Sequence, residues 1–426
     1  MVRKQENPYL IRKVVLASGE RFPVLLERAT GLPLYKPTLY ALTRLRTKNR
    51  ASETIGQCSL AIIVLMRFLN DHRIDLDERM ASGRLFTLSE IETLVRYCRT
   101  LVCDLEQLKP KPPPTRASKV SSLERARMRK RGRATTRELT TGSAGTRGLY
   151  IANYLQWLVE LRATDAIVKP HPELAAAAAL SIGALREHLP SKHGHSTSNR
   201  KGFTKATRER ILEVVSPSSQ ENPWPERHCK YRNELIVKWL LHLGIRRGEF
   251  LGIRISDVDF QRNEVTIHRR ADDVEYPKAD EPNTKTYARL LPLSDEMASL
   301  ARNYILKHRS QIKGARKHKY LLVASNTGDP LGKSAFAKIF IGIKKKLNSE
   351  AKVHAHLFRH TWNDDFSEQM DREKIPEDRE RKVRSVLMGW SPTSGTAATY
   401  TKRHVEKKAR EASLAMQRKY VKEKKQ

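Results

Sequence analysis

A chain of 426 residues is long enough for two or three domains, each able to bury a core of its own. Its 81 Lys and Arg against 47 Asp and Glu give a formal charge of +34, spread over the whole length. A compact form with that charge repels itself unless it meets a polyanion, of which nucleic acid is the commonest. Four cysteines without a CxxC spacing (Cys58, Cys98, Cys103, Cys229) argue against a disulfide framework and a cysteine zinc site, and read as buried thiols of a reducing compartment.

The first seven residues open no apolar export segment, and no run approaches the roughly 18 apolar residues of a membrane span. A cytoplasmic protein with no membrane partner is expected. Residues 1–48 form a basic lead-in, in which 11–15 and 22–26 read as short strands joined at Ser18-Gly19-Glu20. From Ser52 the pattern turns helical, with Ile55, Leu60, Ile63, Leu65, Phe68 and Leu69 as an apolar stripe. Leu88 opens a further helix with Thr87 as its cap. Residues 109–145 break the regularity. Pro110-Lys111-Pro112-Pro113-Pro114 cannot be helical, and the stretch after it is basic and poor in apolar residues. It reads as a long exposed loop, either ordering on a phosphate backbone or serving only as a linker.

Helical pattern resumes over 146–161, with Leu149, Ile151, Tyr154, Leu155, Leu158 and Leu161 as the buried face and Trp157 beside them. It continues through the alanine run near Ala175 to Leu185. Residues 49–190 therefore read as an all-helical domain interrupted by one loop. The polar segment 191–202 is the linker, and its His193 and His195 lack a third metal ligand and read as solvated. In 203–426, helices are expected over 207–214 and 233–243, then strands over 258–260, 264–270 and 289–293, with turns at Gln261-Arg262-Asn263 and around Lys285. Helices then run to the end, where Val405, Ala409, Ala412, Met416 and Tyr420 form a last amphipathic stripe. The fold class expected is mostly α with one small antiparallel sheet, an α+β domain following a helical one.

Five short elements carry chemistry: Gly244-Ile245-Arg246-Arg247-Gly248-Glu249-Phe250, Thr284-Lys285-Thr286, His356-Leu357-Phe358-Arg359-His360, Leu387-Met388-Gly389-Trp390 and Thr399-Tyr400-Thr401. Cutting a phosphodiester with a phenol needs a nucleophile, cations for the non-bridging oxygens, a proton donor for the leaving oxygen, and alignment of all of them. Arginine suits the cationic part because its planar fork bonds two phosphate oxygens and stays charged. Composition leaves open whether Arg246 or Arg247 points inward, and whether Lys285 or Lys278 is the amine. His356 and Arg359, three apart, share one helix face, with His360 turned elsewhere. Tyr400 is one of 13 tyrosines, marked out by the small, polar segment 391–399 before it.

In this order the elements resemble the catalytic domain of the tyrosine site-specific recombinases, the phage integrase family. The resemblance covers about 203–402, extends to 50–190 through Ala152-Asn153-Tyr154-Leu155-Gln156-Trp157-Leu158, and does not reach the first 48 residues. It implies a SAM-like helical core-binding domain ahead of the catalytic one. It assigns Arg246 and Arg359 as phosphate clamps, Lys285 as general acid, His356 as acid/base helper and Tyr400 as nucleophile, with Glu249 and His360 in support. Trp390 stands where many members carry histidine, and an indole can donate a hydrogen bond but not shuttle a proton. The resemblance further implies a 3′-phosphotyrosine intermediate without ATP, metal or other cofactor. The implied partners are a double-stranded DNA attachment site, a homotetramer on two such sites, and accessory bending or directionality proteins, in the service of a mobile element. A type IB topoisomerase-like relaxing enzyme and a non-catalytic DNA-binding derivative are the alternatives.

Overall fold

The computed structural model of the chain describes residues 7–108, 137–165, 171–190, 202–282, 286–347, 353–391, 395, 409 and 412–416. The chain divides into two units: Met1–Leu16 with Arg21–His195, and Ala17–Glu20 with Ser196–Gln426. Residues 109–136 of the expected loop 109–145, and residues 191–201 of the expected linker 191–202 with its two histidines, lie outside the described residues.

In unit 1, strands β1 (Tyr9–Val15) and β2 (Arg21–Glu27) pair antiparallel, Val14 opposite Phe22 and Leu10 opposite Leu26. Phe22, Leu25 and Leu26 of β2 are buried. Helix α1 (Tyr35–Tyr40) runs on into a π-type turn, and α2 (Ser52–Asp71) follows. Against expectation, α2 is long and apolar enough to cross a membrane by length and composition alone. It is apolar nearly all round because it is the central helix of its unit, packed by β2, by α4 (Leu88–Arg99) and by α5 (Thr141–Ala163), and more than half of it is buried. Between α2 and α4 lies α3 (Leu76–Ala81). Thr87 does cap α4: its Oγ1 accepts from the Glu90 amide at 3.4 Å while Glu90 accepts from the Thr87 amide at 2.8 Å.

Three expectations need correction here. Helix α5 begins at Thr141, inside the expected loop. Two of its glycines, Gly145 and Gly148, allow close packing: a Cβ on Gly145 would lie 2.7 Å from the Pro190 carbonyl oxygen, beyond the end of α6 (Leu174–His188), and one on Gly148 would meet Leu189. Packing overrides propensity at that turn. Leu149 is exposed, not buried, because it lies about 200° around the helix from Ile151. Cys103 is exposed as well; it sits on the short 3-10 stretch Val102–Leu108, with the Arg137 guanidinium 3.2 Å from its sulfur.

Unit 2 opens with α7 (Lys205–Val215) and α8 (Arg227–Leu243), then the short α9 (Arg247–Leu251). Strands β3 (Val258–Asp259), β4 (Glu264–Ile267) and β5 (Arg289–Pro292) form one antiparallel sheet in the order β3-β4-β5, Val265 opposite Leu291. Helices α10 (Asp295–Asn303), α11 (Lys333–Lys346), α12 (Ala355–Arg372) and α13 (Glu377–Met388) complete it. Trp239, Phe250, Phe336 and Phe358 lie at the centre of the core. The start of the unit is fastened to α12: the Gly202 amide donates to Asp364 at 3.0 Å and the Phe203 amide to Thr361 at 2.8 Å. Among its described residues unit 2 is thus mostly helical with one small antiparallel sheet, and unit 1 adds the β1–β2 hairpin to its helices.

Strand β4 stops at Ile267, short of the expected Arg270, because Arg270 turns its fork onto Asp257 at 2.8 and 2.7 Å. The connection 268–288 is consequently long, and buried groups hold its root. Asp273 accepts from Arg254 at 2.6 Å and from the Tyr320 hydroxyl, and Glu281 accepts from the Asp272 and Asp273 amides. After Ser391 only residue 395, Ala409 and residues 412–416 are described, the last six being helical; Tyr400, Val405 and Tyr420 lie outside the described residues.

Candidate active site

Helix α8 ends at Gly244, which takes a left-handed conformation (φ 59°) and turns the chain into α9. Arg246 then stands just before α9, and Glu249, one turn on, reaches back to it. Glu249 accepts from the Arg246 amide at 2.8 Å and lies 3.3 Å from its guanidinium. Arg246 is half-buried and held, whereas Arg247 is exposed.

The Glu249 side chain is wholly buried and collects two further donors, the Thr286 hydroxyl at 2.6 Å and Arg289 at 2.8 Å. Burial alone pushes its carboxyl up. The charge and hydrogen bond of Arg289, the charge of Arg359 and the Thr286 hydroxyl outweigh that and hold it at about 2, so it is a carboxylate throughout the neutral range.

His356 and Arg359 come from the first turns of α12, where unpaired amides and the helix dipole favour an anion nearby. Arg359 is 1% exposed. It donates to the Gly244 carbonyl at 2.6 Å and reaches the Met388 carbonyl at 3.5 Å, and its guanidinium carbon lies 5.3 Å from the centre of the Trp390 ring. One side chain thereby ties the turn before Arg246 to the end of α13. His356 is exposed, and its ring meets that of His360 edge-on with centroids 4.4 Å apart. His360, expected to point away from His356, instead lies one helical turn from it and faces its ring.

Trp390 is buried with Met388 and against Trp362. It is delivered by Gly389 at φ 64°, whose carbonyl accepts from the Tyr287 amide at 3.0 Å. A Cβ at Gly389 would meet Arg289 at 2.9 Å and the Tyr287 carbonyl oxygen at 2.8 Å, so glycine is required there for space as well as for conformation. Lys278, the rival amine, donates to the Pro330 carbonyl at 3.0 Å and lies 3.8 Å from Asp329, which makes it an anchor of the long connection. Lys285 and Tyr400 lie outside the described residues.

Behind these residues, Arg384 of α13 is fully buried and donates to the Asn363 carbonyl at 3.1 Å, its side-chain oxygen at 2.9 Å, Ser367 at 2.5 Å and Glu380. Asn363 in turn donates to the Arg359 carbonyl at 2.7 Å, so the helix carrying Arg359 is locked to the one leading into Trp390. Sequence reading misses this lock and misses Arg289 and Thr286 as parts of the site. A signal for Arg289 exists: β5 alternates buried and exposed, and an arginine in phase with buried Leu291 requires a buried anion to meet it.

The profile of the phage integrase family matches residues 206–407. Among curated proteins, the integrase of Staphylococcus phage L54a is 23% identical over 146 residues, which is 32% of this chain and 41% of that protein. The chain therefore spans about two fifths of the curated relative it matches. Among solved structures, similarity is found to the Tn1549 transposon integrase in complex with transposon right end DNA (16% identity, 88% of this chain and 100% of that one, TM-score 0.47). It is also found to XerH site-specific recombinase bound to palindromic difH substrate (15% identity, 90% and 93%, TM-score 0.47).

Proposed function

The chain belongs, through its domain at residues 206–407, to the phage integrase family of tyrosine site-specific recombinases, and from that premise we propose that it cuts and rejoins duplex DNA at specific sites. The observation that carries this reading is the convergence on Arg359. Its guanidinium bonds the Gly244 carbonyl beside Arg246 and packs on Trp390, so three motifs distant in sequence meet at one cationic spot. Cations fixed in a poorly hydrated surface stabilise charge growing on phosphate oxygens in the transition state.

In the proposed step the Tyr400 oxygen attacks phosphorus and the bond to the 5′-oxygen breaks. His356 takes up the phenol proton, and Lys285 gives a proton to the departing 5′-oxygen. The 3′-phosphotyrosine keeps the energy of the phosphodiester bond, so a second strand's 5′-hydroxyl reverses the step with no ATP and no metal. The +34 charge supplies backbone contacts on both units, which bring the catalytic unit and a helical core-binding unit (49–190) onto the same duplex. Strand exchange calls for four copies on two attachment sites. Accessory bending or directionality proteins, a mobile element as the beneficiary, and a cytoplasmic location on the nucleoid complete the proposal.

The test is a nicked duplex carrying a site recovered by binding selection from random sequence. Wild type is expected to leave a covalent protein–DNA adduct on a denaturing gel, and Tyr400→Phe to bind equally and leave none. Bound DNA with no adduct from wild type would replace this reading with that of a non-catalytic DNA-binding protein.

A further inference from the structure

Resting on the strand-cutting reading, we propose that Arg289 is a positioning residue of the site, acting through the Glu249 carboxylate, with Thr286 as its counterpart beside Lys285. Arg289 opens β5 with its side chain 4% exposed. Its Nε donates to the Leu387 carbonyl at 2.6 Å and its Nη2 to Glu249 at 2.8 Å. Water cannot compete for these bonds, and the planar fork fixes their directions relative to each other.

That side chain joins two segments, at Glu249 and Leu387, and the Thr286 hydroxyl ties a third to the same carboxylate. Glu249 holds Arg246 through its amide and its guanidinium. Leu387 lies in the last turn of α13, which leads through Gly389 to Trp390, and Gly389 leaves no room for a Cβ beside Arg289. Thr286 donates to the other oxygen of the same carboxylate at 2.6 Å, which pins the chain one residue after Lys285. A shift of Glu249 therefore moves the clamp residue Arg246 and the approach to the proposed acid together. Arg289 touches none of the reacting atoms. Its effect is on where the others stand, and displacement of reacting groups by about 1 Å costs up to about 100-fold in rate.

Arg289→Lys and Thr286→Val separate the two halves of the idea. Lysine keeps the positive charge beside Glu249 but cannot span both partners. The expected result for Arg289→Lys is duplex affinity within about twofold of wild type and single-turnover adduct formation slower by about 10- to 100-fold. Thr286→Val is expected to slow adduct formation by about tenfold, with Thr286→Ser restoring it. A substrate with sulfur in place of the bridging 5′-oxygen discriminates further, because a thiolate departs without a proton. On it the Thr286→Val deficit disappears and the Arg289→Lys deficit stays. Wild-type rates from Arg289→Lys, or equal losses of affinity and rate, overturn the proposal while the wild-type adduct leaves the strand-cutting reading standing. A Thr286→Val deficit that persists on the sulfur substrate removes Thr286 from it. No adduct from wild type removes both readings.

Discussion

Unit 1 buries Arg147 of α5, whose guanidinium donates to the backbone carbonyls of Cys98 and Thr100 at the end of α4, whereas unit 2 buries two pairs of opposite charge, Glu249 with Arg289 and Glu380 with Arg384. Apolar packing of α2, α4, α5 and α6 can hold unit 1 with small relative shifts of its parts. Buried ions are a weaker source of stability, since their desolvation offsets most of the attraction. What they add is direction: a charge in low dielectric tolerates few arrangements of its partners. The contrast teaches that the charges inside unit 2 are arranged around residue placement at the candidate site more than around stability.

Three measurements would break or sharpen that contrast. The largest effect is expected from Arg384→Met, which strands the Glu380 carboxylate inside unit 2 and should destabilise it by about 3–5 kcal/mol in urea denaturation. Replacing Glu380 with leucine as well should recover most of that loss; if the pair variant stays as unstable as the single one, the ion pair is a source of stability after all.

Next in size is an acid effect confined to unit 2. His228 bonds Tyr304 and Ser325. Burial, and then the charges of Arg232, His308 and Arg309, lower its pKa to about 3. The unfolded chain takes up this proton near pH 6.5 and the folded one does not, so stability is present above that pH and falls as pH drops toward 3. The slope is at most about 1.4 kcal/mol per pH unit. His228→Asn should flatten the curve between pH 6.5 and 4, and an unchanged slope would exclude the histidine.

The smallest effect belongs to unit 1. Thr87→Ala removes the cap of α4 and should cost about 1 kcal/mol, with adduct formation unchanged at saturating DNA.

Much of unit 1 was legible because amphipathic periodicity is a local property: β1, β2, the core stripe of α2 and the Thr87 cap follow from it. At the candidate site the contact of Arg246 with Glu249 was legible as a spacing, since residues three apart lie within reach around a helix start. What was not legible depends on neighbours distant in sequence. The start of α5 is decided by Pro190 and Leu189 against Gly145 and Gly148, and the burial of Arg289 by Glu249 forty residues earlier. A run of apolar residues in α2 looks the same whether lipid or three packed elements surround it. Only the fold distinguishes them.

The bonds that fasten the start of unit 2 to α12 span 162 and 158 residues, and the Arg359–Gly244 bond spans 115. During synthesis, then, Arg246 leaves the ribosome long before its partner cation exists. A nascent or prematurely terminated chain ending before α12 holds one arginine of the pair and lacks the helix that closes the unit. On the proposed strand-cutting reading, the two arginines come together only in the finished unit, so a half-built chain is expected to be inactive.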